Sequence, residues 1–279
     1  MKMARGETGF SLIELMVAMV LGLIVTLAAA QIFTANLRSS ETQKIMTEVQ
    51  ESGRYALQML ASDLRRAGTP QTDMSLAEAG AGYITEPVVF GMNASTEGGN
   101  GLAANDTVAF QFYGVIDCEG DRAPGATLEA PALITNVYDV RENADSGANE
   151  LFCQGDVDAG TGGAAMIANV DSFQVLYGVD RPQAPGESRL DRVAFAGRYV
   201  TADQAVGETV VSVRVGLLIS AEIDNLPDFN EGQQFVVLDK QLVNGEGPLA
   251  DVRMRRLFVS TVKLRNLSQR GVTPDDIIL

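Results

Sequence analysis

The hydrophobic pattern changes character along the chain. Residues 9–30, GFSLIELMVAMVLGLIVTLAAA, are apolar on every side except for one charge, Glu14. As a helix, the stretch from Phe10 to Ala30 would rise about 31 Å at about 1.5 Å per residue, enough to cross the hydrocarbon of a bilayer. Beyond Asn36 the apolar positions thin to Ile45, Val49, Ala56, Leu60 and Leu64, set among Gln, Glu, Lys and Arg. Their spacings of four and seven keep to one helical face. No proline interrupts Phe10 to Ala67, so the pattern predicts one helix over 10–67 with a membrane half (10–30) and an amphipathic half. Gly68-Thr69-Pro70 is the expected stop, because proline cannot continue a helix. Gly22 and Gly53 are expected to be soft points, each costing about 1 kcal/mol relative to alanine.

After Pro70 the helical period is gone. Residues 71–106 are rich in Gly, Ala, Asn, Ser and Thr and read as a loop region with one short strand, VVF at 88–90. Apolar and β-branched runs follow: Thr107–Ile116, Leu133–Val140, Glu150–Cys153, Ser172–Val179, Val193–Val200, Thr209–Ser220, Gln234–Leu242 and Arg253–Leu267. Several alternate with period two, as at Val211, Val213 and Val215, which predicts strands with one buried face. Residues 144–163 and 180–191 are polar connections, and no internal repeat or long linker divides the region. The expectation is an α+β fold: a long N-terminal helix packed on an antiparallel sheet, with 68–279 as one β-rich unit.

Charge separates the two parts. The chain carries a net charge of −15. Residues 10–69 hold five basic and five acidic side chains, whereas 70–279 hold 14 basic and 30 acidic, so the net acidity lies in the β-rich part. An acidic domain without a basic stripe argues against nucleic-acid or anionic-lipid binding, because phosphate neutralisation needs clustered Lys and Arg. Arg65-Arg66, Arg253 and Arg255-Arg256 read as ion-pairing or packing residues. Lys2 and Arg5 ahead of the apolar run place its N-terminus in the cytoplasm and the β-rich part in the periplasm. In that oxidising compartment Cys118 and Cys153 suggest one disulfide.

Little else in the sequence carries chemistry. The chain has no histidine, which excludes Ser-His-Asp and Cys-His catalysis, and with only two thiols it disfavours zinc. Gly160-Thr161-Gly162-Gly163 lacks the Lys-Ser/Thr of a phosphate loop and reads as a turn. Asp275-Asp276, Asp156 and Asp158 read as solvated charges. Calcium takes six to eight oxygens, often from Asp and Glu at alternating positions, and the loop Asp180–Asp191 carries acids only at its ends, Asp180 and Asp191, and at Glu187. No enzyme activity, cofactor or metal is expected.

Three ordinary facts about residues 1–30 frame their function. The apolar run is longer than the core of a secretory signal, although Ala28-Ala29-Ala30 could serve as a cleavage site. A plain signal-anchor gives no reason for Glu14, since a charge inside the bilayer costs a few kcal/mol or more unless paired. GFSLIELMVAMVLG, however, resembles without a gap the class III signal of type IV pilins and type II secretion pseudopilins. The resemblance implies that residues 1–9 are a leader cut after Gly9 by a prepilin peptidase. It also implies that Phe10 is the N-methylated mature N-terminus and that Glu14, the fifth mature residue, docks the subunit by pairing with a neighbour's α-ammonium.

Further blocks narrow the resemblance. Gln50-Glu51, Gly53-Arg54, Ala56 and Asp63-Leu-Arg-Arg-Ala-Gly68 are similar to PilW-type minor pilins. So are Val175-Leu-Tyr-Gly-Val-Asp180, Val213-Arg-Val-Gly-Leu-Leu-Ile219, Arg255-Arg-Leu-Phe258 and Thr261-Val-Lys-Leu-Arg-Asn266. That likeness implies a minor pilin that primes assembly or sits in a tip complex, first in the inner membrane and then in the pilus at the cell surface. Its implied partners are other major and minor pilins, the prepilin peptidase and the inner-membrane assembly platform. A J-type pseudopilin of type II secretion and a pilin-anchored adhesin remain the alternative readings.

Overall fold

The computed structural model describes residues 10–69, 105–144, 146–158, 162–181, 195–206, 208–221, 232–251 and 253–264. The chain divides into two compact units, Met1–Glu48 and Val49–Leu279. Helix α1 covers Leu12–Leu64. It opens at Ser11, whose carbonyl accepts the Glu14 and Leu15 amides at 3.1 and 3.2 Å. It closes through i→i+3 bonds, from the Arg66 amide to the Asp63 carbonyl and from Ala67 to Leu64, before Gly68 turns the chain at φ 70°. Gly68 is thus the stop that the sequence predicts, but a tighter turn takes over from the α-helix at Arg65.

In the second unit α1 buries Val49, Gly53, Ala56, Leu60, Ala61 and Leu64, the face that the spacing of four and seven defines. Gly53 is no soft point. A Cβ added there would overlap the Phe258 ring, whereas a Cβ on Gly22 meets nothing. Gly53 therefore lets helix and strand approach closely. Gly53→Ala is expected to lower the melting free energy by about 1–3 kcal/mol through overpacking, and Gly22→Ala to leave that unit's stability unchanged. Denaturant titration of the two variants checks both.

The β-rich unit contains, among the described residues, two four-stranded antiparallel sheets and a hairpin rather than the one sheet expected. The first sheet orders β1 (Val108–Gly114), β2 (Ala132–Glu142), β3 (Asn149–Gly155) and β4 (Ala164–Ala168) consecutively. The chain then changes sheet at Asn169, a non-glycine residue at φ 58°. The second sheet is built from β5 (Val170–Asp180), β6 (Ala196–Val200), β7 (Val210–Ala221) and β10 (Met254–Lys263), in the order β10-β7-β5-β6. Asn105 and Asp106 fasten the entry to β1 onto β5: Asn105 Oδ1 accepts the Phe173 amide at 2.7 Å, and Asp106 Oδ2 the Val175 amide at 2.8 Å.

Residues Gln234–Leu242 form no single strand. They fold into a hairpin of β8 (Gln234–Val237) and β9 (Lys240–Val243), turned by Leu238 at φ 57°. That hairpin explains why β7 departs from its alternating pattern. Phe235, Val237, Leu242 and Leu249 cluster on Leu218, covering the face of β7 opposite Val211, Val213 and Val215. Both faces are buried. The loop with VVF at 88–90, most of the loop 180–191, the C-terminal end of the Arg253–Leu267 run and the tail 271–279 lie outside the described residues.

Candidate functional site

Three features of the structure bear on function, beginning at the N-terminal end of α1. Gly9 lies outside the described residues. Phe10 precedes the helix and is 82% exposed. From Leu12 to Leu37 the large apolar side chains, among them Ile13, Leu15, Val20, Ile24 and Phe33, are all exposed. The helix is long and apolar enough to cross a membrane, with no part of its most apolar window buried. Glu14 sits in the first turn, where the helix dipole favours a carboxylate. Its side chain is exposed and forms no hydrogen bond or ion pair with the described residues. A membrane-length apolar surface thus carries one uncommitted negative charge near its start, and it cannot stay in water: stripped of a partner, such an area is an interaction surface.

The second feature is the seat of α1. Asp63, 8% exposed, is the charged residue on the buried face of the helix. Its Oδ2 accepts from Asn136 Nδ2 and from the Tyr138 hydroxyl, both at 2.8 Å. Its Oδ1 accepts from Arg66 at 2.9 Å. Arg66 also donates to the Ile116 carbonyl at 2.8 Å and lies over the Phe112 ring at 3.9 Å. Burial, reinforced by the Asp63 charge and hydrogen bond, pushes the Tyr138 phenol well above its ordinary range, so it stays a donor. The chain leaving the helix pairs onto β1, with the Gly68 amide on the Gln111 carbonyl at 2.8 Å and the Tyr113 amide on Thr69 at 3.1 Å. Beside this network Tyr55, Met59, Asp63, Asp117 and Met166 line an open cleft of about 490 Å³.

The third feature is the loop between β1 and β2. Cys118 and Cys153 are joined as a disulfide, with Cα atoms 6.3 Å apart. On either side of Cys118, Asp117, Glu119 and Asp121 bring one carboxylate oxygen each to within 4.8 Å of the others. The signal in the sequence is the Asp-x-Glu-x-Asp alternation of residues 117–121, whereas the loop considered for calcium, 180–191, lies mostly outside the described residues. Of the basic groups read as ion-pairing or packing residues, Arg66, Arg253 and Arg255 pair: Arg255 is buried against Asp171 at 2.7 Å, Asn244 and Asp251, and Arg253 reaches Asp251 at 2.5 Å.

Two family models match the chain. The prokaryotic N-terminal methylation motif covers residues 4–30, and the Type IV Pilus-assembly protein W model covers 137–266. This is a type IV pilin-like protein, close to PilW. Among solved structures, a type IV-like pilin from Thermus thermophilus is similar at 17% identity and a TM-score of 0.36, over 78% of this chain and 96% of that one. No curated protein gives a significant match. The structure has the α+β arrangement that the sequence predicts, one long N-terminal helix with antiparallel sheets. The exposed apolar helix and the methylation motif together suggest membrane anchoring, and other pilins are the partners the family implies.

Proposed function

We propose that this protein is a minor pilin that primes assembly of a type IV pilus or forms part of its tip complex. Prepilin peptidase cuts after Gly9, Phe10 becomes the methylated N-terminus, and residues 10–30 hold the subunit in the inner membrane with its N-terminus in the cytoplasm. The β-rich part then stands in the periplasm, where the Cys118–Cys153 disulfide is at home. The observation that carries the reading is the open apolar helix with the single carboxylate of Glu14, borne by a chain whose residues 137–266 match PilW. Glu14 docks each subunit against the α-ammonium of another, and the assembly platform takes up the docked subunits.

The test has two arms. After expression with an active peptidase, the mature chain is expected to begin at Phe10, and Gly9→Ala is expected to leave the leader in place. Deleting the gene is expected to remove most surface pili, while pulldown of the intact protein recovers other minor pilins. An unprocessed mature chain would refute the prepilin reading. Normal piliation of the deletion strain would refute the priming role.

A further inference from the structure

We propose that Asp117, Glu119 and Asp121 form a calcium site, held shut against β3 by the Cys118–Cys153 disulfide. Oxygens bound to one calcium ion at about 2.4 Å can be no more than about 4.8 Å apart, and these carboxylates offer three oxygens inside that limit. The alternation along the chain is what makes this possible. Asp117 Oδ1 accepts the amides of Glu119 at 3.0 Å and Asp121 at 2.9 Å, and Gly120 turns the loop between them at φ 95°.

That cap accounts for only half of Asp117. The residue is 4% exposed, and its other oxygen, Oδ2, is buried without a hydrogen-bond partner. An asparagine would cap the loop equally well without burying a charge, so the cap does not explain the carboxylate. Oδ2 lies against Gly155, where even a Cβ would collide with it. The amide of the same Gly155 donates to Glu119 Oε2 at 2.8 Å. The buried oxygen and the Glu119 carboxylate therefore converge on one spot at the end of β3. A buried, unpaired carboxylate costs several kcal/mol unless a cation meets it.

The donor chemistry points the same way. Oxygen donors alone select a hard cation, and the cysteines of the chain are oxidised, which leaves no soft ligand for zinc. Calcium suits the site better than magnesium, because carboxylates that can each bind through one or both oxygens fit its loose geometry better than a strict octahedron. Backbone carbonyls and water would complete the shell, and the cleft lined by Asp117 and Cys118 borders the loop. Bound there, calcium would brace the helix seat, since the Cys118 amide donates to Asn136, which in turn donates to Asp63.

The experiment is thermal melting of the full-length protein in detergent after stripping with EDTA, with calcium chloride added back and terbium luminescence as a second readout. At calcium well above its dissociation constant the melting temperature is expected to rise by about 5–10 °C, with one saturable terbium site. Asp121→Asn is expected to melt no lower than the parent in EDTA, where like charges are relieved, yet to bind calcium on the order of tenfold or more weakly. Glu119→Gln should behave alike. The proposal is overturned if the parent does not respond to calcium, if Asp121→Asn and Glu119→Gln respond as the parent does, or if magnesium at the same concentration gives the same shift.

Discussion

Glu14→Ala is expected to leave the protein folded and membrane-bound while cutting its recovery in sheared pili by about tenfold or more. The reasoning starts from cost. A lone carboxylate in the bilayer or in an apolar fibre core is worth a few kcal/mol of penalty, and about 1.4 kcal/mol is already a factor of ten in an equilibrium. A replacement by alanine removes that penalty, so insertion of residues 10–30 improves and nothing in the β-rich unit changes. What is lost is the pairing of the carboxylate with the α-ammonium that cleavage after Gly9 creates on another subunit. That ammonium then meets no partner and disfavours docking. Glu14→Gln keeps the shape of the side chain and removes only its charge, so it should fail almost as badly, whereas Glu14→Asp should recover part of the incorporation. Immunoblots of sheared and cell-bound fractions separate the outcomes. Equal entry of the alanine variant and the parent into pili would remove Glu14 from any docking role.

The parts of the fold that the sequence shows are those written in local periodicity. The apolar run with Glu14 needs no tertiary information, and neither does the face Val49, Ala56, Leu60 and Leu64, because a helix repeats its buried side every turn. What the sequence conceals depends on partners far along the chain. Nothing local marks Asp63 for burial, yet it is buried with Asn136 and Tyr138 arriving from 73 and 75 residues away to satisfy it. Gly53 reads as a flaw in a helix until Phe258 is placed over it. The run Gln234–Leu242 carries no Asn-Gly or Asp-Gly signal, so the turn at Leu238 is not visible in it. β4 is Ala-Ala-Met-Ile-Ala, a composition with little intrinsic preference for strand, and pairing with β3 alone makes it one. At the candidate calcium site the Asp-x-Glu-x-Asp spacing was legible. The convergence of Asp117 and Glu119 on Gly155 was not, since it needs the disulfide and β3 in place.

Asp63→Ala is expected to destabilise the β-rich unit by about 3–5 kcal/mol, the usual result of removing one member from a buried charged network. The loss has identifiable parts. Asn136 Nδ2 and the Tyr138 hydroxyl would each be left buried without an acceptor, at about 1–3 kcal/mol apiece, and Arg66 would lose the carboxylate that holds it over Phe112. Tyr138→Phe removes one donor and leaves Asp63 with Asn136 and Arg66, so it should cost only about 1 kcal/mol. Asp63→Asn retains an acceptor and should fall between the two. Guanidinium titration of the full-length protein in detergent, followed by near-ultraviolet circular dichroism of the tyrosines, resolves this ordering. If Asp63→Ala and Tyr138→Phe were equally mild, the network would be a surface decoration and the apolar face of α1 alone would seat the helix. If the ordering holds, the same carboxylate explains why a helix that is apolar and open over its first half ends on a face that accepts only one register against β2: sliding Asp63 past Asn136 and Tyr138 would leave its buried charge unpaired, a cost that apolar packing on Leu60 and Leu64 does not impose.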